Sequence, residues 1–188
     1  MLYFWNRDKL KIVFIFFTLM LFACKNPQED YSEIAAPAEI AERAFKFAKL
    51  YGETETEYAL GGQDPVRSAI RIDCSGLVIM SYKYALVDTK YQLLESDMTA
   101  AYMHDHSTLI TKEELRKGDL IFMGEVSSSA ITHIALFEKA ENGNIYFIDS
   151  TLKDTDGDGI DDINGVTRRF YSESDKRLKS YGIMRLKY

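Results

Sequence analysis

The segment that most restricts how this chain can fold is "CSGLVIMSYKYA", residues 74–85. Its length suits a helix, and Leu77, Val78, Ile79, Met80, Tyr82 and Tyr84 fall on nearly every side of it. A helix that is apolar almost all round has to be buried. Asp73 stands just before it, and aspartate caps helix N-termini by accepting a backbone N–H. The rest of the chain must therefore cover a central helix. Its 188 residues, 46% of them hydrophobic, are enough for one globular domain with an adequate core and too few for two.

The order of the other elements indicates the fold class. In "PAEIAERAFKFAKLYG" the residues Ile40, Ala44, Phe47, Ala48 and Tyr51 share a helical face. Pro37 suits the first turn of that helix and Gly52 its end. A loop with paired glycines, Gly61 and Gly62, leads to Asp73. Beyond the central helix, "SDMTAAYMH" reads as a short helix capped by Ser96, and Thr111 and Glu114 have capping-box spacing. The pattern then changes to strands over 119–123, 132–140 and 144–151, with "ENGN" as a hairpin turn between the last two. "VTRRF" and "SYGIMRLKY" supply later strands. Helices followed by consecutive antiparallel strands predict an α+β fold, with N-terminal helices packed on a C-terminal antiparallel sheet.

The first 23 residues are expected to be a leader. Arg7, Lys9 and Lys11 form a positive start, and the apolar run 12–23 is shorter than the roughly 20 residues needed to span a bilayer. The run ends in "LFAC", which resembles the lipobox of bacterial lipoproteins and predicts cleavage before a lipidated Cys24. Residues 24–36 then read as a polar tether and 37–188 as the folded domain. This leaves Cys74 as a lone thiol in an exported protein, an unusual feature in an oxidising compartment. The formal net charge of −6 and the lack of a basic stripe argue against a nucleic-acid partner.

A cysteine that opens a helix sits among unpaired backbone N–H groups at the positive end of the helix dipole. Both favour a thiolate, and the same N–H groups can receive an oxyanion. Spacing alone does not decide between this nucleophile and a thiol that merely fills the core. A nucleophile needs a base. His133 lies in "ITHIALFE", a strand, and the neighbouring hairpin strand carries Asp149 in "FIDST". An aspartate among apolar residues is costly unless paired, and pairing with His133 would orient and support the imidazole. His104 and His106 in "MHDHS" are too few and too local to specify a metal site and read as a solvated helix end.

Taken together, "EYALGG", "DCSGL", "KGDLIFM", "THIALF" and "YFIDST" occur in the order of the motifs of the NlpC-type cell-wall cysteine peptidases, a papain-like group, and the chain resembles that family from about residue 40 to 151. The resemblance implies hydrolysis of peptide bonds in peptidoglycan stems, typically between γ-linked D-glutamate and a diamino acid. It implies Cys74 as nucleophile, His133 as base and Asp149 as the third, orienting residue, where members more often show His, Asn or Gln. It further implies that Tyr58 assists the oxyanion or substrate and that Asp73 and Ser75 line the site. No cofactor is expected for catalysis.

One further motif stands apart. "DTDGDGIDD", residues 154–162, places Asp154, Asp156 and Asp158 at alternate positions followed by Gly159, as at the start of a calcium loop. It resembles thrombospondin-type repeats more than an EF-hand, since position 12 is Gly165 rather than glutamate. Asp162 and the backbone of Ile160 complete the candidate ligand set, and the ion would be structural; an acidic turn is the alternative. The expectation is therefore a monomeric, lipid-anchored cell-envelope peptidase, in the outer membrane rather than the inner if the cell has two, since Lys25 follows Cys24. The competing expectations are a non-catalytic lipoprotein of the same fold that binds wall peptides or a partner, and a calcium-dependent adhesion module.

Overall fold

In the computed structural model the described residues are 31–63 and 70–188. The expected leader, Cys24 and most of the expected tether lie outside them. Helix α1 (Ala38–Gly52) precedes the central helix α2 (Cys74–Ala85), and the two pack against each other. α2 is buried nearly throughout, as its composition requires: Leu77, Val78, Ile79, Tyr82 and Ala85 are fully covered. The apolar face of α1 is rotated slightly from the expected one, with Ala41 and Phe45 inside it and Phe47 at its edge. Phe45 is buried with Ile40, Ala41, Ala44, Ala48 and Tyr51, while Phe47 lies at the border and meets Tyr84 ring to ring at 5.5 Å. Both phenylalanines fit the helical period; only the position of α2 distinguishes them. The short helix α3 (Ala100–Asp105) is capped by the Thr99 side chain, which accepts from Tyr102 N–H, and not by Ser96.

The strands begin earlier than expected. β1 (Glu33–Ala35) falls in the predicted tether, yet it pairs antiparallel with β11 (Arg185–Lys187), which pairs in turn with β4 (Gln92–Leu93). Ala36 is buried. Periodicity cannot detect a three-residue strand whose partner lies about 150 residues away. A two-stranded parallel pair, β2 (Thr56–Glu57) with β3 (Ile70–Arg71), leads into α2.

The main sheet is antiparallel. It comprises β5 (Thr108–Ile110), β6 (Leu120–Met123), β7 (His133–Glu141), β8 (Asn144–Lys153), β9 (Ile163–Ser172) and β10 (Leu178–Ile183), in the order β5-β10-β6-β7-β8-β9. The predicted β7–β8 hairpin turns at Asn142 and Gly143, both at positive φ (53° and 73°), the conformation an Asn-Gly turn favours. Thr111 and Glu114 meet as expected, with the glutamate accepting from both the backbone and hydroxyl of Thr111.

Alternation along these strands builds two cores. Ile134, Leu136 and Ile148 join the larger one with α1 and α2, whereas Ala135, Phe137, Ile145 and Phe147 join a smaller one with Ile121 and Met123. The turn before β6 explains "KGDL". A Cβ on Gly118 would lie 1.9 Å from the Ala41 carbonyl of α1, and Tyr82 of α2 donates its hydroxyl to the Gly118 carbonyl at 3.1 Å. Gly118 therefore joins both helices to the sheet.

Candidate active site

The N-terminus of α2 is held by a closed set of hydrogen bonds. Asp73 is extended at the N-cap, and its Oδ1 accepts from Gly76 N–H at 2.6 Å and from the Ser75 hydroxyl at 2.9 Å. Its Oδ2 accepts from Gly61 N–H at 2.7 Å. One buried carboxylate thus caps the helix and fixes the double-glycine turn. Asp73 and Ser75 hold the site's frame rather than standing free in a cleft. Gly76 has a comparable role: a Cβ there would lie 2.0 Å from the Gly62 carbonyl, which also accepts Asp73 N–H. Its space is occupied by the chain's own "GG" turn. The helix bonds begin at Leu77 N–H to the Asp73 carbonyl, so the N–H groups of Cys74 and Ser75 precede the ladder at the positive end of the dipole.

Cys74 is mostly buried and lies close enough to His133 to bear on the titration of its ring. The other side of the ring is taken by Asp149, whose Oδ2 lies 2.6 Å from His133 Nε2. Asp149 is fully buried. Burial alone would raise its pKa, but the hydrogen bonds from His133 and Arg169 outweigh this and hold the carboxyl below its ordinary range. An ionised carboxylate only accepts, so Nε2 carries a proton and Nδ1 is the nitrogen left for the thiol. Burial likewise disfavours the imidazolium of His133, yet the interactions with Asp149 and Cys74 prevail and lift its pKa to about 9. The site thus brings together a thiol, an imidazole and a carboxylate, a set that can support acyl transfer.

Why these residues converge follows from register. Leu136 pairs with Ile148 at the end of the ladder, and strand alternation puts Asp149 on the same face as Ala135 and His133. Ser150, on the opposite face, donates its hydroxyl to the Ile72 carbonyl at 2.6 Å and ties β8 to the segment that enters α2.

One residue was not singled out in the sequence. Arg169 donates from Nε to Asp149 Oδ1 at 3.0 Å and from a terminal nitrogen to Oδ2. Asp149 pairs with Thr167, so Arg169 is the next residue on that face of β9. The available signal was the cost of an unpaired buried aspartate, for which a single neighbouring imidazole is a partial answer.

Tyr58 lies close to Cys74 and Asp73. Burial first, and then the negative charges of those two groups, raise its phenol pKa, so it presents a neutral O–H. Its backbone N–H is held by Asn164 Oδ1 at 2.8 Å. Tyr58, Gly124, His133, Arg169 and Arg177 border a cavity of about 500 Å³. A concavity of similar size between the end of α2 and β4 is lined by Leu86, Val87 and Tyr91 and lies away from His133.

The acidic loop is separate from this centre. Asp154 Oδ1 accepts from Gly157 N–H at 2.6 Å and its Oδ2 from Gly159 N–H at 2.8 Å. Carboxylate oxygens of Asp154, Asp156 and Asp162 lie within 4.8 Å of one another. Asp158 is outside that group and accepts from Ile160 N–H. At the end of α3, His106 Nδ1 bonds the Tyr102 carbonyl and His104 Nδ1 bonds Asp105; neither belongs to a metal-sized cluster among the described residues.

The model of the NlpC/P60 family matches residues 55–172, more than half of the chain and a span that includes Tyr58, Cys74, His133, Asp149 and Arg169. No curated protein matches the sequence. Among solved structures, NlpC1 from Trichomonas vaginalis is 23% identical, over 84% of this chain and 47% of its own, with a TM-score of 0.48. The peptidoglycan hydrolase RipB from Mycobacterium tuberculosis is 18% identical, over 79% of this chain and 72% of its own, with a TM-score of 0.48. RipD from the same organism, a non-catalytic NlpC/p60 domain protein adapted to peptidoglycan binding, is 18% identical over 77% and 95%, with a TM-score of 0.45. The chain spans about half the length of the Trichomonas protein.

Proposed function

The chain belongs to the NlpC/P60 family, and from that premise we propose that it is a cysteine endopeptidase that hydrolyses peptidoglycan stem peptides between γ-linked D-glutamate and a diamino acid. The observation that carries this reading is the imidazole of His133, close to the Cys74 thiol and hydrogen-bonded to a buried, ionised Asp149. A family member that only binds wall peptides has no need of that set.

The reaction runs as acyl transfer. Nδ1 of His133 already holds the proton given up by Cys74, and Cys74 Sγ attacks the scissile carbonyl carbon. The N–H groups at the start of α2, with the Tyr58 hydroxyl, receive the oxyanion. The C–N bond breaks as His133 returns the proton to the leaving amine, which leaves a thioester. Water then gives a proton to His133 and attacks the thioester carbon, and the C–S bond breaks to release the acid and the thiol. With a pKa of about 9, His133 holds its proton at neutral pH for the leaving group.

Cys74→Ala should abolish release of stem-peptide fragments from purified wall, read by mass spectrometry, while the folded protein persists. Undiminished release would overturn the assignment, and wall binding without release by the wild type would indicate a non-catalytic member. The proposed setting is the cell envelope, with a lipid on Cys24; Cys24→Ser should then lose labelling by a fatty-acid probe. The proposed structural calcium at 154–162 is supported by the convergence of Asp154, Asp156 and Asp162.

A further inference from the structure

Asp149 is a fully buried charged residue beside His133, and Arg169 supplies its counter-charge. The guanidinium grips both carboxylate oxygens of Asp149, and Oδ2 is shared between Arg169 and His133. Arg169 is itself confined: its side chain is 11% exposed, its Nη1 donates to the Tyr171 hydroxyl at 3.2 Å, and it lies over the rings of Phe147 and Tyr171 at 5.5 and 5.6 Å. A fully buried carboxylate beside an imidazole carries a full negative charge to that ring in a low-dielectric setting. An imidazolium held by such an anion gives up its proton reluctantly, and the leaving amine needs that proton.

We propose that Arg169 is a positioning residue that moderates the charge Asp149 presents to His133 and fixes which carboxylate oxygen faces the ring, so that the Asp149–Arg169 pair acts on the imidazole as a unit. The pair sums to zero charge, and its bidentate geometry fixes which carboxylate oxygen faces the ring. The inference rests on the peptidase reading for its consequence in hydrolysis, but not for its effect on His133. The groups that act on that ring are Cys74 from α2 and Asp149 from β8, and Arg169 and Tyr171 from β9 and Tyr58 from the loop after β2 line the cavity beside it. Glu125, Lys153 and Arg177 border the same cavity, and none is altered in the test.

The test is a double-mutant cycle with Asp149→Asn, Arg169→Met and both together, measured by fragment release and by NMR titration of the His133 ring. Each single variant leaves one buried charge without its partner, and each should lose about tenfold or more in rate. The His133 midpoint should move up in Arg169→Met and down in Asp149→Asn. The double variant has a neutral acceptor and no unpaired charge, and its loss should be clearly smaller than the two single losses combined. Rate losses that simply add in the double variant, or a His133 midpoint unmoved in Arg169→Met, would overturn the proposal. A wild-type protein that fails to hydrolyse wall peptides would remove the peptidase reading, while the ring titration would still decide the role of Arg169.

Discussion

Asp149 and Asp154 lie five residues apart, one inside β8 and the other just past its end, and both carboxyls are held below their ordinary pKa range for opposite structural reasons. Asp149 has no exposed surface, and its side-chain partners come from positions 16 and 20 residues away. Asp154 is partly exposed, and its partners are the N–H groups of Asp156, Gly157 and Gly159. For Asp149 the stabilising bonds must overcome burial; for Asp154 the local turn has little burial to oppose it. The first carboxylate depends on the whole sheet and the second on its own loop. Removing each should therefore have very different effects.

The largest effect is expected at Asp149. Asp149→Ala leaves Arg169 without its partner and His133 without its orienting acceptor. It should cost about 3–5 kcal/mol of stability, measured by denaturant unfolding, and about a hundredfold or more in fragment release. A variant that kept wild-type stability would break the contrast with Asp154 at once. Gly76→Ala comes next. Its Cβ would meet the Gly62 carbonyl at 2.0 Å, so the double-glycine turn must shift away from α2. The expected loss of about 1–3 kcal/mol, with reduced Cys74 alkylation, would show that the frame around the thiol tolerates no extra atom.

The pH dependence sharpens the comparison. His133 binds its proton more tightly folded than unfolded, so its contribution is fully present below its unfolded value of about 6.5 and is lost as pH rises through about 9. Asp149 contributes above its unfolded value, about 3.9, and that contribution is lost as pH falls through its depressed folded value. Unfolding followed from pH 6 to 10 should show falling stability in the wild type and a much flatter profile in His133→Gln. The smallest effect belongs to the loop. In chelator, Asp154→Asn should unfold at the wild-type temperature. Added calcium should raise the midpoint of the wild type by a few degrees and leave that of Asp154→Asn unmoved; a wild type indifferent to calcium would leave the loop as an acidic turn.

The parts that sequence reasoning reached share a physical basis. The Asp73 cap, the burial of α2, the Asn142–Gly143 turn and the pairing of His133 with Asp149 depend on short-range geometry: one helix end, one all-round apolar pattern, one hairpin. Periodicity and turn chemistry encode such relations directly. The parts it did not reach join residues with no periodic relation. The choice of Phe45 over Phe47 depends on where α2 lies, and the strand at 33–35 on a partner at 185–187.

The chain's own residues thus determined an α+β domain, a thiol at the start of a buried helix and a histidine–carboxylate pair on one hairpin. Tertiary structure alone decided how that thiol is held and how the carboxylate is made usable. Gly76 proved to be the seat of the Gly62 carbonyl, and Arg169 proved to be the counter-charge of Asp149. A buried charge and a glycine each impose a requirement that can be read from the residue itself, a partner in the first case and a close approach in the second. Which atoms meet that requirement is set by sheet register and helix packing, which bring together residues that local spacing does not relate.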